Sequence, residues 1–285
     1  MRLVTFRNGD GPAEPGVIVE QSVVALSGAG FASLLDVLGG GAEARARVEN
    51  WMYQPPAGAL RPLANVRLLA PLPRPPKVIC IGLNYRDHAL ESGMEVPKVP
   101  TVFSKFSSIV IGPGDPIVLP KVSTKPDYEA ELVFVIGTGG RNIAAENWTQ
   151  HVFGYTIAND VSARDYQMAT SQWLMGKTFD TFAPIGPWIV SADEIEDPHA
   201  LDIGLSINGE VMQNSNTCEL IFKIPELVAF LSSVFTLETG DVVLTGTPAG
   251  VGAGRKPPRF LKPGDDVVVS IAGLGELRNP VVAEA

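Results

Sequence analysis

The chain has 285 residues and carries 31 acidic against 22 basic side chains, a formal net charge of −9. That balance excludes a protein whose main task is neutralising a nucleic-acid backbone, because such binding rests on clustered lysine and arginine. The length and a 45% hydrophobic content predict a globular chain with a sizeable core, and two cysteines, Cys80 and Cys218, exclude a disulfide scaffold.

Both cysteines lie in apolar stretches and read as buried thiols. No run of the sequence approaches the roughly 18 to 20 apolar residues of a membrane span. Neither a membrane nor a nucleic acid is therefore expected as a partner, and the reducing cytoplasm is the expected compartment.

The 29 glycines and 24 prolines interrupt the chain too often for a helical bundle and predict a mixed, predominantly β fold with some α. In chain order, LVTF and GVIVE read as short strands, followed by a weak helical segment from about Phe31 to Met52. The proline-dense PLPRPPK at 71–77 marks the end of a small N-terminal α+β domain over 1–70, with a larger domain over 71–285. VICIGL then reads as a buried strand, and Asn84 as the cap of a short helix ended by Gly93. PTVFSKFSS and PIVLP flank the turn GPGD. In YEAELVFVIG, Tyr128, Ala130, Leu132, Phe134 and Ile136 form one apolar face while Glu129 and Glu131 point to the other. VFGYTIA, IGPWIV, LDIGLSING, GDVVLTG and DDVVVSIAGLG supply further strands. The one long helical pattern is 219–235, suited to covering a sheet, and RKPPRFLK at 255–262 reads as a solvated loop.

Glu129 and Glu131 share one side of their strand, and Asp160 ends the next one. Brought together, the three would form an oxygen-only site whose charge Mg²⁺, Mn²⁺ or Ca²⁺ could offset. The competing reading is an ordinary strand with both glutamates in water and Asp160 in a local turn. Arg164 and Gln167, three residues apart, could share a helical face, with surface roles as the alternative. Lys177, in the apolar segment GKTFDTFAP, could anchor an anion or stabilise an enolate, or be a structural lysine.

Among three histidines, His88 has Glu91 one helical turn later, a spacing that lets the carboxylate orient the ring; a helical ion pair would look the same. His151 and His199 read as structural or surface residues. No nucleophile elbow, H-E-x-x-H or P-loop ending is present. TGTPAGVG could expose backbone N–H groups and Thr247 to a carboxylate, or be a strained turn.

The segments ICIGLNYRDHALESG, YEAELVFVIG, ANDVSARDYQ, GKTFDTFAPIGP and LTGTPAGVG occur in that order. Over roughly residues 75–282 the chain resembles the fumarylacetoacetate hydrolase family, in particular members with a small N-terminal domain. The resemblance implies a distorted mixed β-roll or sandwich and a homodimer. It implies Glu129, Glu131 and Asp160 as ligands of Mg²⁺ or Mn²⁺, with Ca²⁺ as a substitute. It makes Lys177 an active-site lysine and His88 with Glu91 an acid/base dyad, in a segment, 84–98, that closes over the metal. Arg164 and Gln167 fall near substrate, and Thr247 in a carboxylate-binding loop. The expected activity is hydrolysis of a C–C bond in an acylpyruvate or related 2,4-diketo acid, a small anionic 2-oxoacid. The same enolate-stabilising site also suits oxaloacetate decarboxylation, keto–enol tautomerisation or isomerisation of an unsaturated 2-oxoacid. A catalytically weak metabolite-binding homologue is the alternative outside enzymes.

Overall fold

A computed structural model describes residues 1–56 and 58–285. The spine is a twelve-stranded sheet. It runs from the N-terminal strands Leu60–Pro62, Ser22–Ala25, Ala13–Val19 and Arg2–Arg7 into Ala183–Ser191, Val152–Asn159, Ala130–Ile136, Val242–Leu244, Val78–Gly82 and Thr101–Lys105. Five strands, Glu210–Asn216, Asp202–Ile207, Asp266–Ile271, Gly275–Ala283 and Ile117–Leu119, form a second sheet. The main core cluster takes residues from both sheets, among them Leu132 and Phe134 from the first and Leu205, Val267 and Val269 from the second. The mixed fold is thus two packed β layers with a small N-terminal subdomain. That subdomain extends the large sheet, because Arg2 and Leu3 pair antiparallel with Val190 and Ile189.

The strand Ala130–Ile136 is buried along its whole length. Its even positions enter the main core, while Val133 and Val135 pack in a second cluster with Leu3, Leu34 and Val48 of the subdomain. Glu129 and Glu131 therefore share the side of a strand that is apolar further along, and neither can face bulk water.

Six α-helices occur among the described residues: α1 Leu34–Gly39, α2 Gly41–Tyr53, α3 Arg86–Ser92, α4 Arg164–Gln167, α5 Leu174–Lys177 and α6 Ile224–Val234. α1 and α2 occupy the expected helical segment. α6 is shorter than the pattern over 219–235, because Pro225 suits a first turn and Glu226 accepts the Lys223 backbone N–H at 2.8 Å. Residues Thr217–Glu219 form a separate 3₁₀ turn that leaves Cys218 exposed, so only Cys80 is a buried thiol.

Asn84 does not cap α3, whose N-cap position is Tyr85. The Asn84 amide instead donates to the carbonyls of Phe222 at 3.0 Å and Thr245 at 2.8 Å and accepts from the Phe222 N–H at 2.8 Å. It ties together three separate backbone segments. Gly93 ends α3 in the left-handed conformation, as its position predicts. In the basic run, Arg255 and Arg259 are half-buried, with Arg255 donating to the Met212 carbonyl at 2.7 Å and Arg259 pairing with Asp265 at 2.8 Å. The run is therefore a pinned loop and not a freely solvated one.

α4 and α5 touch through Gly176: a Cβ there would lie 2.3 Å from the Gln167 backbone N. The contact fixes Gln167 relative to Lys177, the next residue. Gly176→Ala is expected to cost about 1–3 kcal/mol in denaturant unfolding; an unchanged midpoint would mean that the two helices have room to part.

Candidate active site

Antiparallel pairing of Ala130 with Asn159 brings the beginning of one central strand beside the end of its neighbour. The Asp160 N–H donates to the Glu129 carbonyl at 2.9 Å, so Asp160 is held next to the two glutamates. One carboxylate oxygen from each of Glu129, Glu131 and Asp160 lies within 4.8 Å of the others. All three side chains are buried.

Burying ions costs several kcal/mol each unless they are paired, and most of this cost is met by cations. The Lys177 ammonium donates to Glu129 Oε2 at 2.6 Å and to Asp160 Oδ2 at 2.7 Å. Arg164 Nη2 lies 2.7 Å from Glu129 Oε1, and Lys105 pairs with Asp160 Oδ1. A fourth carboxylate, Asp127, accepts from Arg164 Nε at 2.8 Å and from the N–H groups of Gly252 and Ala253 at 2.7 and 3.0 Å.

Glu131 is the exception. Its Oε2 accepts the Gly246 N–H at 2.7 Å, and Oε1 has no donor among the described residues. Burial, then Asp160 and Glu129, push its carboxyl well above the usual range. Burial acts on Glu129 in the same direction, but Arg164 and Lys177 outweigh it and hold that carboxyl down at about 2. Four carboxylates face three cations, Arg164, Lys105 and Lys177, and Glu131 is the one left without a partner, so it holds its proton more tightly than an ordinary carboxyl. A divalent cation fits this cluster, because it would bring the missing positive charge to hard oxygen donors. Glu129, Glu131 and Asp160 could hold it.

These groups form one wall of a 510 Å³ cavity whose other walls include His88, Glu91, Gln167, Trp173, Thr247 and Gly254. His88 Nδ1 is 3.2 Å from Glu91 Oε2, and the other Glu91 oxygen accepts the Gly250 N–H at 2.9 Å. Burial works to raise the Glu91 carboxyl, but the hydrogen bonds from His88 and Gly250 prevail and lower it. Arg164 Nη1 donates to Gln167 Oε1 at 2.9 Å, which leaves the Gln167 NH₂ without an acceptor among the described residues. The structure thus brings His88, Glu91, Glu129, Glu131, Arg164, Gln167, Lys177 and Thr247 to one cavity, with Asp160 buried in the carboxylate cluster. α3 is already formed and His88 already lines the cavity. His151 and His199 lie elsewhere, bonded to the Thr138 carbonyl at 2.7 Å and to Asp197 at 3.2 Å.

Two participants escaped the sequence reading. Asp127 continues the period-two row of Glu129 and Glu131, a signal that was available. Lys105 ends the strand Thr101–Lys105 on the same side as Phe103, so a lysine at an inward position was the clue.

An oxygen-only carboxylate cluster facing an imidazole–carboxylate pair across an open-mouthed cavity marks a divalent-metal-using enzyme. The model of the fumarylacetoacetate (FAA) hydrolase C-terminal domain matches residues 77–282, and the chain belongs to the fumarylacetoacetate hydrolase family. It is 55% identical over 221 residues to the mitochondrial oxaloacetate tautomerase of Xenopus laevis, covering 77% of this chain and 69% of that protein. The fumarylacetoacetate hydrolase of Exiguobacterium antarcticum matches all of both chains with a TM-score of 0.87 and 38% identity. Maleylpyruvate hydrolase from Sphingobium sp. SYK-6, solved with manganese(II) and pyruvate, does so with a TM-score of 0.84 and 32% identity. The cytoplasmic location expected from the sequence is corrected by these relatives: the Xenopus enzyme is a mitochondrial protein by name, and a low cysteine count reads the redox state of a compartment, not its address.

Glu131→Gln and Glu129→Gln should part in sign. Gln replaces the partnerless Glu131 carboxyl with a neutral group of the same shape and should leave the metal-free protein at least as stable as wild type, while Mn²⁺ affinity falls by more than about tenfold. Glu129→Gln should weaken Mn²⁺ binding and also destabilise the metal-free protein by roughly 1–3 kcal/mol, since Lys177 and Arg164 lose a charged partner. Calorimetric titration and denaturant unfolding test both; equal destabilisation by the two variants would refute this assignment of charge.

Proposed function

We propose that this protein is a divalent-metal-dependent enzyme, using Mg²⁺ or Mn²⁺ with Ca²⁺ as a substitute, that interconverts the keto and enol forms of a small 2-oxoacid such as oxaloacetate. The observation that carries this reading is a single imidazole–carboxylate pair, His88 with Glu91, lining the same cavity as the carboxylate cluster. The relationship to a mitochondrial oxaloacetate tautomerase supports the choice of substrate.

Keto–enol exchange needs a base that takes and returns one proton, and charge stabilisation for an enolate oxygen. When bound, the metal supplies Lewis-acid polarisation of the 2-oxo group. His88 takes a proton from C3, the C–H electron pair becomes the C2=C3 bond, and the carbonyl electrons move to O2. Glu91 holds the ring at Nδ1, so Nε2 is the nitrogen that works on substrate, and it can carry the imidazolium charge while the proton is held. Lys177, with the cluster at its back, offsets charge gathering at O2. Returning the proton to O2 gives the enol, and the reverse sequence gives the ketone. The free NH₂ of Gln167 and the hydroxyl of Thr247 are available to the substrate carboxylate.

C–C hydrolysis, the activity expected from the sequence, needs in addition a water placed for attack on a distal carbonyl. It is the second reading because of the likeness to maleylpyruvate hydrolase. A homodimer belongs to the proposal as well: the outermost strand, Thr101–Lys105, has an unpaired edge, and Leu90, Met94, Val96, Val99, Val102 and Phe106 are exposed in and after α3.

With Mg²⁺ or Mn²⁺, the protein should accelerate ultraviolet-monitored decay of enol-oxaloacetate, and His88→Ala should slow this by about 10²-fold or more without loss of Mn²⁺ affinity. Release of pyruvate from an acylpyruvate, with no effect on enol decay, would overturn tautomerisation in favour of hydrolysis. Light scattering after gel filtration should give twice the chain mass; a monomer would end the dimer proposal.

A further inference from the structure

Gln213 lies outside every motif of the sequence, in the strand Glu210–Asn216 of the second sheet, and is 1% exposed. Its side chain reaches two parts of the site. Oε1 accepts the N–H of Ala130, the residue between the two cluster glutamates, at 2.9 Å. Nε2 donates to Thr247 Oγ1 at 2.8 Å and to the Pro248 carbonyl at 2.9 Å.

These partners fix the direction of the amide. Turned over, it would set NH₂ against the Ala130 N–H and its carbonyl against the Pro248 carbonyl, losing two hydrogen bonds and reversing the third, to Thr247. With the amide fixed, the polarity of Thr247 is fixed too. Its oxygen is occupied by a donor from Gln213, and its own O–H finds no acceptor among the described residues. Thr247 is buried and lines the cavity, so the hydrogen is left to a ligand there. A hydroxyl carries one donor and two acceptor sites; with Gln213 donating into one lone pair, the hydrogen is turned away from Gln213. The loop that carries it is also held, because the Gly246 N–H is bonded to Glu131 and a Cβ at Gly246 would lie 2.8 Å from that of Asn84.

We propose that Gln213 is a positioning residue that directs the hydroxyl hydrogen of Thr247 toward the carboxylate of the substrate. The inference rests on the 2-oxoacid reading of the site and adds to it the source of selectivity for an acceptor-only group. Gln213 touches no substrate, and it acts wholly through Thr247. The linkage predicts a dependence between two residues that are 34 positions apart in the chain.

The test is a double-mutant cycle of Gln213→Met and Thr247→Val on the full-length, Mn²⁺-loaded protein. Pyruvate binding is read by calorimetry, and KM and kcat by enol-oxaloacetate decay. Thr247→Val should weaken pyruvate by about ten- to hundredfold, the worth of a hydrogen bond to a charged group, and Gln213→Met by about three- to tenfold. The double variant should bind no more weakly than Thr247→Val alone, and the losses should fall on KM more than on kcat, with Mn²⁺ affinity kept. Thr247→Ser should restore binding. Gln213→Glu, which keeps an acceptor for Ala130, is the second variant if methionine does not fold, and its effect should likewise vanish in the Thr247→Val background. Additive losses, or a Gln213→Met loss shared by Mn²⁺ affinity, would overturn the proposal and leave Gln213 a packing residue. Undiminished pyruvate binding by Thr247→Val would overturn it together with the carboxylate role of Thr247. Normal binding by Gln213→Met beside weakened Thr247→Val would sink the positioning role alone.

Discussion

Glu131 is buried beside Glu129 and Asp160 with a single backbone N–H to stabilise its charge, while its neighbours take up every nearby cation. An ionised carboxylate in that position would cost several kcal/mol of desolvation that nothing in the chain itself repays, so Glu131 holds a proton where no further cation meets it. A fold that keeps such a group must be stable enough elsewhere to carry it. The double-sided burial of the strand Ala130–Ile136, between the main core and the N-terminal subdomain, is the stiff support on which this depends. The subdomain thereby has an energetic part in the site: it covers the face of the strand that would otherwise admit water beneath the glutamates.

Around this rigid centre the other parts are held by fewer contacts. The loop carrying Thr247 is fixed by backbone bonds from Gly246 and Thr245 and by the Asn84 and Gln213 amides. α3 rests on the cavity rim through Glu91 and through Asp87, which accepts from Ser215 at 2.6 Å. Such elements, with few buried apolar contacts, open at lower free energy than a central strand does.

Much of this was legible in the sequence. Period-two alternation located the central strand and put both glutamates on one side, and the spacing of His88 and Glu91 set them one helical turn apart. What escaped detection depends on residues far apart in the chain. Lys105 and Asp160 are 55 positions apart, and Ala130 and Gln213 are 83 apart; no local pattern encodes such pairs. Asn84 misled because a short amide before a helix usually caps it, whereas here tertiary partners claimed both ends of the side chain. Cys218 misleads in a similar way: its apolar neighbours read as core, but the chain turns there and leaves the thiol outside. The choice among reactions was not legible at all, since hydrolysis and tautomerisation ask for the same enolate-stabilising groups.

The two oxygens of Glu91 serve different masters. One orients His88, and the other latches α3 to the bare backbone of Gly250, close to Gly254, where a Cβ would come within 2.8 Å of the Glu91 carboxyl carbon. The seat of α3 on the cavity rim and the alignment of the imidazole are consequently set by one carboxylate. A change at Gly250 or Gly254 that displaced this one carboxylate would therefore disturb the imidazole and the rim of the cavity together.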